Sequence, residues 1–269
     1  MSLTPIDTAL EQLMPLLPLI TGQESVLLEQ AAGRVLAGDC VSPIDVPPYR
    51  NSAMDGYALK STDLGSENIQ LKITQRIAAG EVGQQLKSGE AARIFTGAPV
   101  PEGADAVVMQ ENCNANGDVL CVLQQHIKPG ENLRQAGDDI QAGALMMAKG
   151  HRLKPQDIGL LASIGLESVN VTRRLRVSLL TTGDELVQPG TKLEAGQIYN
   201  SNYFTLHALL KGLQVEVLDC GIVADDFEGT RLALVAAAER SDCVITTGGV
   251  SVGEEDHVKA VVEQEGELQ

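Results

Sequence analysis

The sequence predicts a multidomain protein of mixed α/β and β class. From residue 173 onward, apolar runs alternate with helical patterns, which is typical of a parallel sheet with crossover helices. Residues 46–142 contain short apolar runs bounded by turn-forming residues, which favours a β-rich domain. Helical patterns flank that region in residues 1–45 and 143–172. They indicate an elongated helical or mixed domain into which the β-rich domain is inserted.

Composition and charge restrict the class of partner. The chain has 269 residues, 43% of them hydrophobic, which is enough for two or three globular domains. The formal net charge is −16, from Lys+Arg 20 against Asp+Glu 36. Such a chain repels nucleic acid and anionic lipid, so we expect neither as a partner. The five cysteines form no CxxC pair, and no apolar run reaches membrane-spanning length. We therefore expect a cytoplasmic protein.

Two helices are expected before residue 45. Thr4 is expected to cap the first, with Pro5 at its first position. The apolar face of that helix is formed by Ile6, Leu10 and Leu13. The stretch SVLLEQAAGRVLAGD predicts a second helix that ends near Gly38.

The middle of the chain is predicted to be mainly β. ADAVVMQ and DVLCVLQQ are short apolar strands, and Asn116-Gly117 between them is a strong hairpin signal. The segment HRLKPQDIGLLASIGLESVNV then predicts a return to helix.

The last third is predicted to alternate strand and helix three times. The strands are RVSLLTTGDEL, QVEVLDCGIV and DCVITT, and the helices follow from residues 202, 228 and 254. Cys220 and Cys243 lie at the ends of apolar runs and are expected to be small buried residues.

Polar residues follow each of these three strands. Because ligands of open parallel sheets bind beyond the carboxyl ends of the strands, the residues are expected to converge on one cleft. The first strand contributes Thr182, Gly183 and Glu185, and the second contributes Asp225. The third, in TTGGVSVGEEDH, contributes Gly248, Gly249, Ser251 and Asp256.

This arrangement explains why a glycine-rich turn precedes acidic rather than basic residues. Backbone N–H groups and hydroxyls donate to an oxyanion, and helix N-termini add partial positive charge. The carboxylates Glu185, Asp225 and Asp256 would hold Mg²⁺, which bridges to phosphate. Each carboxylate alone is better explained as a helix-dipole complement, and Gly-Gly as ordinary turn chemistry; three such strand ends together favour the functional interpretation. A Ser/His/Asp triad has no local support, since the four histidines are dispersed.

Five segments together resemble the molybdopterin molybdenumtransferase (MoeA) family, to which the gephyrin E domain is related. They are NSAMDGYA, RIFTGAPVPEGADAVVMQE, TTGDEL, GQIYNSN and TTGGVSVGEEDHVK. The resemblance implies a three-layer α/β/α domain of MoaB/MogA type in residues 173–269, and a linker and dimerisation role for residues 1–45 and 143–172. Family members continue beyond this length. The domain in residues 173–269, which the resemblance implies to be molybdopterin-binding, is therefore expected to be incomplete here.

The resemblance also implies an activity. Enzymes of this family insert molybdate into adenylylated molybdopterin and release AMP with the help of Mg²⁺, in a cleft between the subunits of a homodimer. The adenylyltransferase that supplies the pterin is an implied partner. Two alternatives stay open: a non-catalytic, gephyrin-like scaffold, and a molybdopterin adenylyltransferase on the same α/β fold.

The motifs carry the family's functional residues onto this chain. The catalytic residues implied are Asp55, Thr96, Asp139, Glu185, Asp225 and Asp256. The cofactor-binding residues implied are Arg134, Thr182, Gly183, Asn200, Gly248, Gly249 and Ser251. Without the resemblance, Asp55 is explained as a turn-forming Asp-Gly, Thr96 as part of a strand-end turn and Arg134 as a surface ion-pair member.

Overall fold

The computed structural model describes residues 5–65, 69–124, 126–248 and 257–267. The chain divides into two compact units. We call Met1–Ser25 with Asn170–Gln269 the α/β unit, and Val26–Val169 the β-rich unit. The finer three-part division expected from the sequence stays a prediction. Within the ranges described, no helix combines the length and apolar character needed to cross a bilayer.

The helices and strands have the following bounds. The helices are α1 (Ile6–Leu13), α2 (Leu28–Ala31), α3 (Pro155–Ser163), α4 (Ser201–Gly212), α5 (Phe227–Arg240) and α6 (His257–Glu265). The first nine strands are β1 (Gln23–Leu27), β2 (Cys40–Val41), β3 (Asn51–Ser52), β4 (Gly56–Leu59), β5 (Gln70–Ile77), β6 (Glu90–Ile94), β7 (Ala106–Met109), β8 (Cys113–Asn116) and β9 (Val119–Val122). The others are β10 (Leu133–Arg134), β11 (Leu145–Met147), β12 (Ser168–Thr172), β13 (Arg176–Thr182), β14 (Leu186–Val187), β15 (Ile198–Tyr199), β16 (Glu216–Val223) and β17 (Cys243–Thr247).

The α/β unit contains the predicted parallel sheet. In the part of the chain that the structure describes, its strand order is β16-β13-β17, and both pairings are parallel. The central strand β13 is buried from Val177 to Thr182, because it has a neighbour on each side and helices packed against it. The predicted strands and the three helices α4, α5 and α6 are confirmed. On α6, Val258 and Val261 are buried.

One burial prediction in this unit is wrong. Cys243 is exposed and Cys220 is only half-buried, although both were expected to be buried. The reason is the strand order: β17 and β16 are the outer strands of the described sheet, so their side chains have fewer neighbours than those of β13.

A bidentate ion pair anchors the loop before β13. Arg173 donates from both terminal nitrogens to the carboxylate of Asp242, each at 2.6 Å, and the Arg176 N–H donates to the same carboxylate at 2.8 Å. These hydrogen bonds, from Arg173 above all, lower the pKa of Asp242 from its ordinary value of 3.8 to about 2. Asp242 therefore stabilises the folded state above about pH 4, and that contribution is lost as the pH falls through about 2.

Asp242→Asn is expected to lower the free energy of unfolding by about 2 kcal/mol at pH 7. The difference from the wild-type chain should shrink below pH 4 in urea titrations, because the wild-type carboxylate then becomes protonated. Glu216→Gln is the matched control, since its pair with Arg176 is half exposed and should contribute less than about 1 kcal/mol. Equal losses in the two variants would contradict the role given to Asp242.

The β-rich unit is built around a mixed sheet. Its order in the described residues is β7-β4-β6-β5-β9-β8, with β5 and β6 parallel and the other neighbours antiparallel. Both faces are buried: Ile94 and Val107 belong to one apolar cluster, and Leu59 and Val108 to the other. Because consecutive residues point to opposite faces, β7 is apolar without interruption.

The hairpin turn and both predicted strands are confirmed, but the pairing of the two strands across that turn is wrong. Asn116 and Gly117 join β8 to β9, and Gly117 has a φ of 61°. The expected partner ADAVVMQ forms β7 at the opposite edge of the sheet. The real partner, β8, has the polar sequence CNAN, so no apolar pattern revealed it.

The predicted second helix is largely wrong. Only one turn, α2, is helical, and it follows β1 directly. Gly33 adopts a φ of 79°, and its N–H donates to the carbonyl of Leu153 at 2.7 Å, while Leu36 donates to His151 at 3.0 Å. Long-range pairing has therefore overridden a local helical pattern.

The third helical prediction is correct for α3 and wrong beyond it. Gly165, with a φ of 81°, follows the helix, and the chain continues as β12, which pairs with β1. The alternating apolar residues Val169 and Val171 are buried in β12. Period-two alternation was the stronger signal in this stretch.

The first helix lies where the sequence indicated. It starts at Ile6 with Pro5 as the residue before it, while Thr4 lies outside the described residues. The apolar face is exposed, with Ile6 at 76% and Leu10 and Leu13 at 49% each. An apolar helix face of this size is typical of a surface that binds another protein chain.

Candidate functional site

A cavity of about 150 Å³ lies at the carboxyl ends of β13 and β17 in the α/β unit. Its walls are formed by Thr182, Glu185, Leu186, Ile198, Tyr199, Asn200, Ser201, Asn202, Thr247 and Gly248. The lining offers hydroxyl, amide and carboxylate groups. Four residues singled out in the sequence therefore meet here: Thr182, Glu185, Asn200 and Gly248.

Gly183 allows the chain to turn sharply at the end of β13. Its φ of 145° is rarely adopted by other residues, and a Cβ at this position would lie 2.4 Å from Oε2 of Glu185. Glycine therefore lets the Glu185 carboxylate fold back against the backbone. The Gly183 N–H also donates to the carbonyl of Val223 at 3.3 Å, which joins the ends of β13 and β16.

Gly248 brings the end of β17 close to β13. Its φ is 90°, and a Cβ added here would lie 2.8 Å from Oγ1 of Thr182. The chain after β17 thus approaches the nearly buried Thr182 hydroxyl at contact distance. The predicted residues Gly249, Ser251 and Asp256 lie outside the described residues.

Asn200 fixes one wall of the cavity. It is buried, its Nδ2 donates to Oγ1 of Thr181 at 2.9 Å, and its Oδ1 accepts from the N–H of Tyr203 at 3.2 Å. The second contact makes it the N-cap of α4. The Asn200 side chain therefore ties the start of α4 to β13, and its place in ligand binding stays a prediction.

The end of β16 brings Asp225 next to the turn that follows β13. The Asp184 N–H donates to Oδ2 of Asp225, and the Asp225 N–H donates to Oδ1 of Asp184, both at 3.2 Å. Asp184 was not singled out from the sequence, because nothing local distinguishes it from Glu185. Asp226 instead caps α5, with Oδ1 accepting from the Gly229 N–H at 2.7 Å.

For the predicted cation site, the described residues can be compared with Mg²⁺ only by the kind of ligand atom that they offer. Carboxylate oxygens are the ligands that Mg²⁺ prefers, so Glu185 and Asp225 fit by their chemistry. Among the described residues, no group of three or more His, Cys, Asp or Glu side chains lies close enough to hold a metal ion. The third predicted ligand, Asp256, is outside those residues, so the site stays a prediction.

In the β-rich unit, Asp55 and Thr96 are joined by two hydrogen bonds. The N–H and the hydroxyl of Thr96 both donate to Oδ1 of Asp55 at 2.8 Å. These bonds, the backbone one first, lower the pKa of Asp55 below its ordinary value, so the carboxylate is charged at neutral pH. Within the described ranges, Oδ2 of this exposed carboxylate has no hydrogen-bond partner and is open to a ligand.

Arg134 and Asp139 form a hydrogen-bonded ion pair in the same unit. Their side chains are 43% and 53% exposed, so the pair adds little to stability. Arg134 lies on β10, opposite Asn51 of β3. The structure thus pairs two more of the predicted residues. An exposed ion pair is also what is expected if Arg134 is only a surface ion-pair member.

Family models match most of the chain. Residues 4–165 match the model described as the MoeA N-terminal region (domain I and II). Residues 178–269 match a model described as a probable molybdopterin binding domain. The strand-end cavity lies in the second match, and the Asp55–Thr96 pair lies in the first.

Curated relatives support the same assignment. A molybdopterin molybdenumtransferase from Haemophilus influenzae is 42% identical over 264 residues, covering 98% of this chain and 65% of the relative. One from Bacillus subtilis is 37% identical over 251 residues, covering 90% of this chain and 58% of the relative. The chain therefore spans less than two thirds of the length of these relatives.

Solved structures agree with the fold. Two structures of the molybdopterin biosynthesis MoeA protein from Pyrococcus horikoshii match with TM-scores of 0.84 and 0.82, at 34% and 33% identity. The matches cover 98% and 92% of this chain and 67% of each solved chain. Fold and cavity define a multidomain protein whose α/β unit has a cavity at its strand ends. The chain belongs to the MoeA family, and its curated relatives are named as transferases.

Proposed function

We propose that this chain acts in molybdenum cofactor biosynthesis by inserting molybdate into adenylylated molybdopterin, with release of AMP. The observation that carries the proposal is the strand-end cavity, which lies in the segment that matches a probable molybdopterin binding domain. The names of the curated relatives support a transferase activity.

The cavity suits an anionic ligand despite the acidic chain. Thr182 and Thr247 supply hydroxyls, and Gly248 approaches without a side chain. Neutral donors such as these bind a tetrahedral dianion without a full positive charge. Molybdate and the phosphate of the pterin adduct are ligands of this kind.

Mg²⁺ is proposed to be held by Glu185, Asp225 and Asp256. When bound, it would neutralise negative charge on the phosphate group. The chain itself prepares the two described ligands: Gly183 lets Glu185 fold back, and the Asp184 N–H orients the carboxylate of Asp225.

The pairs Asp55–Thr96 and Arg134–Asp139 are proposed to complete the active cleft of a homodimer. The exposed apolar face of α1 supports dimer formation. The five cysteines are all free, which supports a reducing, cytoplasmic location. An adenylyltransferase is proposed to supply the activated pterin.

The activity is tested by incubating the chain with adenylylated molybdopterin, molybdate and Mg²⁺ and measuring AMP. Release of AMP that requires both the chain and molybdate is the expected result. Dimerisation and pterin binding without AMP release would overturn the proposal in favour of a scaffold. Consumption of ATP to make the adenylylated pterin would overturn it in favour of an adenylyltransferase.

Asp225→Asn is expected to reduce the rate of AMP release by at least about tenfold. The amide oxygen can still accept the Asp184 N–H, but the negative charge that would bind the cation is lost. The rate is measured at saturating Mg²⁺ and again at limiting Mg²⁺, where the loss should be larger.

Asp226→Asn is the matched control, because Asn caps a helix about as well as Asp. It makes the same Asp-to-Asn change at the adjacent residue. The rate should stay within about twofold of the wild-type value, since among the described residues the Asp226 side chain serves to accept the Gly229 N–H at the start of α5. Similar losses in the two variants would refute a special role for Asp225.

A further inference from the structure

Two arginines lie side by side on the sheet of the β-rich unit. Arg76 of β5 is the direct partner of Arg93 of β6, and Tyr57 of β4 is opposite Arg93 on the other side. Partners in neighbouring strands point to the same face of a sheet. Both guanidinium groups therefore emerge on one face.

The ring of Phe95 orders both groups. The Cζ atom of Arg76 lies 4.6 Å from the centre of the Phe95 ring, and that of Arg93 lies 4.7 Å from it. Arg93 also lies 5.2 Å from the ring centre of Tyr57. Stacking holds a guanidinium by its face and leaves its N–H edge available as a donor.

No carboxylate of the described residues contacts either positive charge in an ion pair. Neither Arg76 nor Arg93 belongs to any ion pair among the described residues, although acidic residues outnumber basic ones by 36 to 20. Arg93 donates to neutral oxygens only, the Gly56 carbonyl and the Gln110 side chain. Arg76 has no hydrogen-bond acceptor in the described ranges. Adjacent like charges repel, so this arrangement favours an anion that contacts both side chains, which no described residue supplies.

The arginines lie at the end of the sheet that carries the Asp55–Thr96 pair. Phe95 precedes Thr96 in the chain, and the Gly56 carbonyl that accepts from Arg93 follows Asp55. Arg93 also contributes to lowering the pKa of Asp55, after the two Thr96 hydrogen bonds. The unpaired charges are therefore next to a residue pair already proposed to act in the cleft.

We propose that Arg76 and Arg93, held on the Phe95 ring, bind a tetrahedral oxyanion. A planar guanidinium donates two parallel N–H bonds to one such group, and two guanidiniums match the charge of a dianion. The oxyanion is either the phosphate of an organic ligand or molybdate itself. The proposal depends on the proposed function for the biological ligand but not for anion binding.

The test is titration calorimetry of the 269-residue chain with inorganic phosphate, molybdate and AMP, each separately. Arg76→Gln is expected to weaken binding of at least one of them about tenfold, because a charge-assisted donor pair is lost. The Arg76 side chain forms no hydrogen bond or ion pair among the described residues and stacks on the Phe95 ring, so thermal unfolding should change little. Lys72→Gln is the control: it removes the same charge from the same strand and should change affinity less than about twofold.

The outcomes separate the site from the function. Equal weakening by Arg76→Gln and Lys72→Gln would overturn the site, because bulk charge would then explain the binding. Binding of none of the three anions by the wild-type chain would also overturn it. Arg76-dependent affinity confirms the site even if the chain releases no AMP in the turnover assay, and that assay alone then rejects the function. The anion that shows the Arg76 dependence identifies the source: molybdate alone, or phosphate and AMP.

Discussion

Gly56→Ala is expected to lower the free energy of unfolding by more than about 3 kcal/mol. A Cβ at this position would lie 2.0 Å from the carbonyl oxygen of Val108, well inside contact distance. Gly56 is on β4, which pairs with β6 on one side and β7 on the other. The strands can make room only by separating, which breaks ladder hydrogen bonds next to a buried apolar cluster. Urea unfolding followed by circular dichroism measures the loss.

Gly159→Ala supplies a control of opposite sign. Gly159 lies within α3, has no positive φ, and has no atom within 4 Å of an added Cβ. Because alanine is the better helix former, this variant should be unchanged or more stable by up to about 1 kcal/mol. A Gly56→Ala chain as stable as the wild type would show that β4 and β7 are not packed as the structure has them.

The α/β unit could be predicted well because its local patterns agree with its long-range structure. β13 carries the apolar residues Val177, Leu179 and Leu180 and is central in the sheet, so the apolar run and the final burial coincide. The rule that ligands bind beyond the carboxyl ends of parallel strands then pointed to Thr182 and Glu185, which line one cavity. Asp184 was missed, because its contact with Asp225 depends on how two loops meet.

The β-rich unit was less predictable because its pairing is long-range. The polar strand β8 has no apolar pattern, and the helical pattern before Gly38 is overridden by hydrogen bonds to residues 151–153. Asp55 and Thr96 are 41 residues apart, and only the family resemblance joined them. Arg76 and Arg93 meet through a parallel pairing of β5 and β6 that no local signal indicates.

Asp55→Asn is expected to reduce kcat/KM for the proposed molybdenum insertion about 100-fold. The amide oxygen can still accept both Thr96 donors, so the turn should persist. The variant removes the negative charge and the second carboxylate oxygen, which has no partner within the described chain. Turnover is measured by AMP release, and thermal unfolding checks that the fold is kept.

Asp63→Asn is the matched control in the same unit. Its carboxylate also bridges a turn, with Oδ1 accepting from the Ser88 hydroxyl at 2.6 Å and Oδ2 accepting from the Gly89 N–H at 2.8 Å. Both oxygens are thus used by the protein, so this variant should lose about 1 kcal/mol of stability at most and keep its turnover. Equal losses of turnover in the two variants would assign Asp55 to turn formation alone.

The pH dependence of turnover shows whether Asp55 acts through its negative charge or by holding Thr96 in place. The hydrogen bonds from Thr96 lower its pKa below the ordinary 3.8, so the carboxylate stays charged at any pH above that value. Turnover that depends on this charge should therefore show no loss from Asp55 between pH 5 and 8. Thr96→Val removes the hydroxyl donor and keeps the N–H donor, so the pKa should rise only part of the way; because the carboxylate then stays charged between pH 5 and 8, turnover should fall less than about tenfold. If Thr96→Val instead lowers turnover as much as Asp55→Asn at every pH, the hydroxyl itself contacts the ligand, and the carboxylate serves to hold it.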